Sequence, residues 1–148
     1  MNECVRHVTA EPAYARIEEG VYFGCWVKAP PPGTKAVVNL CGAEDPYKLE
    51  ARFWEPILEG GPPPDVEWLG RAVGFIAEQR RLGKTVYVHC LAGVDRSATV
   101  TTAYLMQEHG WTRDRALAFV REKRPQASPN PSLLKLLLDY EERLKARK

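Results

Sequence analysis

The stretch KTVYVHCLAGVDRSATV (residues 84–100) constrains the fold more than any other part of the chain. Its apolar, β-branched run ending at His89 and Cys90 predicts a buried strand. Small and apolar residues from Ser97 to His109 predict a helix, and only a short loop with one glycine separates the two. A strand that passes through a short loop directly into a helix is typical of α/β folds.

The rest of the chain extends this pattern. ARIEEGVYFG (15–24) predicts an edge hairpin, KAVVNL (35–40) a buried strand, and RFWEPIL (52–58) a weaker strand, since Pro56 limits its pairing. Further helices are predicted over 65–82, 112–123 and 132–145, with Asp65 and Thr112 as caps. We therefore expect an α/β fold in which a small, mostly parallel central sheet is covered on both faces and flanked by helices. One domain should span residues 1–148.

Composition excludes several classes of protein. The chain has 148 residues, 45% of them hydrophobic, and a formal charge of +2. That charge is too small to argue for a nucleic-acid or membrane partner, and no apolar stretch has the length of a transmembrane helix. The first residues, MNECVRHVTAEPAY, lack the apolar run of a secretory signal. We expect a cytoplasmic monomer without a membrane anchor or a nucleic-acid partner.

The chain has four cysteines, Cys4, Cys25, Cys41 and Cys90. None belongs to a Cys-x-x-Cys pair, and no cysteine and histidine set has the spacing of a zinc site, so we expect no metal and no cofactor. In a reducing compartment these residues should be mostly free thiols.

The loop from Cys90 to Arg96 has the composition of an anion site. A strand that turns into a helix aims several backbone N–H groups at one point, and the helix dipole adds about half a positive charge there. Gly93 lets the backbone turn where a Cβ would obstruct it, and the planar fork of Arg96 can hold two phosphate oxygens. Helix N-termini and cations favour the thiolate form of a nearby cysteine, which makes Cys90 a candidate nucleophile. The predicted phosphate-binding residues are Leu91, Ala92, Gly93, Val94, Asp95 and Arg96.

HCLAGVDRS (89–97) resembles the His-Cys-x-x-Gly-x-x-Arg-Ser/Thr signature of the protein tyrosine phosphatase superfamily. ARIEEGVYFG, VVNL and ASPNPSLLKLLLDYEE resemble the small dual-specificity branch, so the similarity runs from about Tyr14 to Tyr140. The resemblance implies metal-free hydrolysis of phosphomonoesters through a cysteinyl-phosphate. Cys90 would be the nucleophile, and Arg96 would bind phosphate and stabilise the transition state. Ser97 would assist departure of the thiolate, and His89 would tune Cys90.

The sequence offers several carboxylates as candidates for the general acid. The family usually supplies an Asp about thirty residues before the cysteine, and here Glu59 stands 31 positions before Cys90. Asp95, inside the phosphate loop, is a rival because some lipid phosphatases carry Asp-Arg at this place. Asp65 is better explained as a helix cap, and Asp45 is a minor candidate. We favour Glu59 over Asp95.

Three functions are compatible with these residues. The first is hydrolysis of phosphotyrosine, extending to phosphoserine and phosphothreonine, in proteins. The second is a phosphatase of a non-protein substrate, namely a phosphoinositide, another small phosphorylated molecule or an RNA 5′ end. Asp95 favours this second function, whereas the apolar Leu91, Ala92 and Val94 argue against a highly charged lipid. The third is a non-catalytic phosphate-binding module, which would require loss of Cys90 or Arg96, and both are present.

Overall fold

The computed structural model describes residues 12–58 and 60–147, in which strands give way to helices toward the carboxyl end. The strands are β1 (Tyr14–Glu18), β2 (Val21–Gly24), β3 (Thr34–Asn39), β4 (Ala51–Trp54) and β5 (Thr85–His89). The helices are α1 (Val66–Arg81), α2 (Arg96–His109), α3 (Arg113–Lys123) and α4 (Pro131–Ala146).

The five strands form one sheet in the order β1-β2-β5-β3-β4. The hairpin β1-β2 is antiparallel, and it turns at Gly20, whose φ is 81°. All other neighbours are parallel. The carboxyl ends of β2, β5, β3 and β4 therefore meet at one edge, with β5 in the centre, which is where α/β proteins place their ligand sites. This confirms the predicted small, mostly parallel sheet.

Alternation along β5 assigns its side chains to two faces of the sheet. Val86 and Val88 belong to the main core, which also contains the apolar sides of the four helices. Tyr87 belongs to a second cluster on the opposite face, and no helical residue is among the described members of that cluster. The helices thus flank one face, and the segments around the strands cover the other. The remaining members of the second cluster are Cys25, Val27, Val37 and Tyr47, with Ala13, Tyr14, Tyr22 and Leu49 packed against them.

The helix ends follow the capping chemistry of the sequence. Asp65, Thr112 and Asn130 each accept a hydrogen bond from the backbone N–H three residues later, at the starts of α1, α3 and α4. Strand β4 ends at Trp54, two residues before Pro56, as expected for a weak strand next to a proline. Within the described residues, none of the helices combines the length and apolar character needed to span a bilayer.

Adjacent leucines on α4 provide a test of this packing. Leu137 is fully buried, whereas Leu138 is 43% exposed. We expect Leu137→Ala to lower the free energy of unfolding by about 3 kcal/mol, because it removes buried methyl groups and leaves a cavity. Leu138→Ala should change it by less than about 0.5 kcal/mol. Urea denaturation measures both, and equal effects would contradict the orientation of α4.

Candidate active site

Cys90 lies directly after the central strand β5, at the edge where the parallel strands end. Its side chain is 2% exposed, and its backbone N–H donates to Gly24 O at 3.2 Å. The sulfur lies 3.3 Å from Ser97 Oγ, in the first turn of α2. The strand and the helix therefore fix the position of Cys90 from both sides.

The backbone carbonyls of residues 91–94 are all bound by groups outside the loop. In chain order they accept hydrogen bonds from Trp26 N (3.1 Å), Arg124 Nη2 (3.3 Å), Arg124 Nε (2.8 Å) and Ser128 N (2.7 Å). In a trans peptide, the N–H of the next residue points opposite to the carbonyl. The N–H groups of residues 92–95 are therefore turned toward the inside of the loop, where they form a nest of the kind that can bind an anion.

Gly93 is required at its position in this loop. Its φ is 69°, a conformation that favours glycine. A Cβ at Gly93 would lie 2.6 Å from the carbonyl carbon of Gly24 and 2.8 Å from the backbone nitrogen of Cys25. The phosphate loop thus packs directly on the backbone that follows β2.

Arg96 begins α2 and is only 8% exposed. Its Nη1 donates to Ile57 O at 2.7 Å and to Leu40 O at 3.3 Å. These carbonyls belong to the segments that follow β4 and β3. The segments after two parallel strands therefore determine the position of the guanidinium beside the loop.

Ser97 connects the sulfur to the backbone of β2. Its hydroxyl donates to Gly24 O at 3.3 Å while the thiol of Cys90 donates to Ser97 Oγ. A thiolate has no proton to donate, so the hydroxyl then turns its single proton to the sulfur. Gly24 O keeps the hydrogen bond from Cys90 N. Ser97 can therefore stabilise the thiolate both before attack and on departure.

His89 is fully buried behind Cys90, on the opposite face of the sheet from the helices. Its Nε2 lies 3.1 Å from Asp45 Oδ2, and its Nδ1 lies 3.9 Å from Cys41 Sγ. The ring stacks on Tyr87 with a centroid distance of 5.4 Å. The His89 side chain is thus held by a carboxylate, a thiol and an aromatic ring.

The other carboxylates proposed as acids have separate partners. Asp95 Oδ1 accepts from Asn130 N at 2.9 Å and Oδ2 from Asn130 Nδ2 at 3.1 Å, which joins the phosphate loop to the start of α4. Asp65 Oδ1 accepts from Trp68 N at 2.9 Å and caps α1. Glu59 lies outside the described residues.

The cysteines differ from the sequence expectation in one respect. Cys41 and Cys90 are free thiols, but Cys25 is disulfide-bonded, against the expectation of mostly free thiols. Burial and the nearby Cys90 raise the pKa of Cys41 to about 12, so Cys41 keeps its proton at neutral pH. Across residues 12–58 and 60–147, no three His, Cys, Asp or Glu side chains are grouped as metal ligands.

Two residues of the site were not identified as such from the sequence. Arg124 is 3% exposed and binds the loop carbonyls of Ala92 and Gly93. Asp45 was considered only as a minor acid, yet it is the buried partner of His89. Both are distant from Cys90 in the chain. The one local signal is Pro125, which ends α3 and thereby places Arg124 at the edge of the site.

Comparison with known proteins agrees with this geometry. The family model "Dual specificity phosphatase, catalytic domain" matches residues 34–143, a range that contains Cys90, Arg96 and Ser97. The chain belongs to this family. The resemblance inferred from HCLAGVDRS is therefore confirmed.

The phosphatase domain has relatives of known sequence and structure. It is 47% identical to human dual specificity protein phosphatase 16 over 108 residues, which are 72% of this chain and 16% of that protein. The crystal structure of human DUSP28 matches with a TM-score of 0.81 and 27% identity, covering 91% of this chain and 97% of that chain. The crystal structure of PTPMT1 in complex with PI(5)P matches with a TM-score of 0.80 and 24% identity, covering 92% of this chain and 99% of that chain. This similarity shows a shared fold.

This phosphatase domain matches about a sixth of the length of curated relatives such as human dual specificity protein phosphatases 16 and 8. The similarity therefore concerns the catalytic domain and not the remainder of those proteins.

Arg124 provides a test of how the phosphate loop is oriented. We expect Arg124→Lys to weaken competitive inhibition by inorganic phosphate roughly tenfold, because an ammonium cannot bind both loop carbonyls with a fixed fork. Arg121→Lys is the matched control, since Arg121 Nε donates to Ala127 O, outside the loop. If the two variants bind phosphate equally well, Arg124 does not orient the loop.

Proposed function

We propose that this domain removes phosphate from phosphotyrosine, and from phosphoserine and phosphothreonine, in proteins. The observation that carries the proposal is the position of Cys90 at the floor of a loop whose N–H groups face inward, with Arg96 beside it. A phosphate bound by such a loop presents its phosphorus to the sulfur. Membership in the dual specificity phosphatase family supports the same reaction.

The reaction proceeds in two displacements. The Cys90 thiolate attacks phosphorus, a P–S bond forms, the bond to the leaving oxygen breaks, and a general acid protonates that oxygen. Water then attacks phosphorus, the P–S bond breaks, and inorganic phosphate leaves. Ser97 donates a hydrogen bond to the departing sulfur. The fork of Arg96 and the loop N–H groups bind the equatorial oxygens in both transition states.

A non-protein substrate is the second candidate, and PTPMT1 was crystallised with a phosphoinositide. The side chains of the loop favour the protein substrate. A headgroup with several phosphates gains affinity from lysines or arginines beside the reacting phosphate, whereas Leu91, Ala92 and Val94 are apolar. A purely binding module is disfavoured because the nucleophile and the arginine are both in place.

The location and the oligomeric state stay predictions. The disulfide at Cys25 weighs against a reducing compartment, because disulfides persist mainly in oxidising ones.

A substrate panel tests the proposed function. Phosphotyrosine, phosphoserine and phosphothreonine peptides, PI(5)P in vesicles and a 5′-phosphorylated RNA are compared by kcat/KM. We expect the highest values for the peptides, and we expect Cys90→Ser to bind the best peptide without turnover, since a serine hydroxyl is hardly ionised in this site. A higher kcat/KM for the lipid or the RNA would favour the second candidate.

We propose Glu59 as the general acid. Its position before Cys90 supports this role, and so do the partners of its rivals. Asp95 already accepts two hydrogen bonds from Asn130, and Asp65 caps α1. Asp45 is 3% exposed and lies behind His89, away from a leaving group.

The acid is identified by pH profiles of kcat. Glu59→Gln should lose the alkaline limb and lower kcat about 100-fold on a phosphotyrosine peptide, but only a few-fold on an activated aryl phosphate that hardly needs a proton. Asp95→Asn should keep that limb. Asp65→Asn is the control, because asparagine also caps helices well. Loss of the alkaline limb in Asp95→Asn, with a normal profile in Glu59→Gln, would assign the acid to Asp95.

A further inference from the structure

The loop between β3 and β4 carries a carboxylate into the interior of the domain. Asp45 is 3% exposed, and four hydrogen-bond donors surround its side chain. Oδ1 accepts from Tyr47 N at 3.2 Å and from Arg52 Nη1 at 2.9 Å, and Oδ2 accepts from Asn39 Nδ2 at 3.1 Å and from His89 Nε2 at 3.1 Å. A buried carboxylate is retained only where such partners offset the loss of water.

The balance of these contacts leaves Asp45 negatively charged. Burial by itself would raise the pKa of this carboxyl. The hydrogen bonds from His89 and Arg52 outweigh burial and hold the pKa of Asp45 below its usual value. At neutral pH an ionised carboxylate therefore lies against the side chain of the residue that precedes the nucleophile.

This carboxylate determines which nitrogen of His89 carries a proton. An ionised carboxylate can only accept a hydrogen bond, so Nε2 carries the proton whether the ring is neutral or charged. On the other side of the ring, Nδ1 faces Cys41, whose thiol stays protonated at neutral pH. Tyr87 and Tyr47 contact the ring with centroid distances of 5.4 and 5.8 Å. The orientation of His89 is thus fixed by its hydrogen bonds and by its aromatic neighbours.

The backbone links His89 directly to Cys90. The two residues are adjacent in the chain, and the carbonyl of His89 accepts from Leu40 N at 2.9 Å. Among the described residues, the titratable groups that interact electrostatically with Cys90 include Cys41, from the segment after β3, and Tyr87 of β5, and Arg96 begins α2 six positions after Cys90. Only the side chain of His89 therefore separates the carboxylate of Asp45 from the residue that carries the thiol.

We propose that Asp45 is a positioning residue of the reaction, which acts through His89 to hold Cys90 in its reactive orientation and ionisation state. The proposal rests on the proposed function of the same site. Asp45 itself touches neither the substrate nor the reacting atoms. The juxtaposition that carries the proposal is a buried carboxylate bound to a fully buried histidine, which directly precedes the nucleophile at the end of β5.

The test compares Asp45→Asn with Glu44→Gln. Glu44 is the exposed neighbour of Asp45 in the same loop, so Glu44→Gln removes an equal charge without touching His89. Alkylation of Cys90 by iodoacetamide, followed by mass spectrometry of its peptide, is measured against pH. We expect the pH at which the alkylation rate is half-maximal, the alkylation midpoint, to rise by about one unit in Asp45→Asn and to stay unchanged in Glu44→Gln. The kcat of Asp45→Asn should fall about 10- to 100-fold with little change in KM, because the phosphate loop remains intact.

A double-mutant cycle separates a role through His89 from a general effect on the fold. In a His89→Gln background, Asp45→Asn should change kcat by less than about twofold, because the group through which it acts is gone. An equal loss in both backgrounds overturns the proposal, as does an alkylation midpoint in Asp45→Asn that equals the wild-type value.

The wild-type protein supplies a measurement that does not depend on the folding of any variant. Nitrogen-15 NMR of the His89 ring should show a proton on Nε2 at every pH at which the domain is folded. A proton on Nδ1 alone would refute the role of Asp45. If none of the phosphate esters is hydrolysed, the proposed function fails, while alkylation and NMR still decide whether Asp45 acts on Cys90.

Discussion

The structure of the site depends on the outward hydrogen bonds of the phosphate-loop carbonyls. Four consecutive carbonyls accept from Trp26, Arg124 and Ser128, and the following N–H groups must therefore face inward. The inward orientation of these N–H groups is thus determined by donors that lie outside the loop. Each of those donors comes from a different part of the chain, so the loop acquires its shape only when β2, α3 and the start of α4 have packed around it.

Buried charge is concentrated on the two sides of this loop. Arg96 and Arg124 bind backbone carbonyls, and Asp45 is bound by Arg52, Asn39 and His89. Burying such groups is costly unless every one has partners. The network makes Cys90 part of a rigid arrangement, which suits a reaction that relies on positioning and electrostatic stabilisation.

The sequence was sufficient to predict what depends on local pattern. Alternation and apolar runs predicted the strands, and Asp65 and Thr112 predicted helix starts, because capping involves residues only three apart. The spacing from Cys90 to Arg96 predicted the anion loop for the same reason. Arg124 and Asp45 could not be predicted, since they reach the loop and His89 across 31 and 44 positions of chain. The disulfide state of Cys25 was also mispredicted, because it was argued from the compartment and not from contacts.

The contact between the Ile57 carbonyl and Arg96 limits how the segment between β4 and α1 can change in length. The carbonyl holds Arg96 Nη1 at 2.7 Å, and Ile57 stands two positions before Glu59. The segment that holds the Arg96 side chain therefore also leads, two residues later, to the proposed general acid. An insertion or deletion between β4 and α1 that displaces Ile57 would therefore change the position of the Arg96 guanidinium as well as that of the proposed acid.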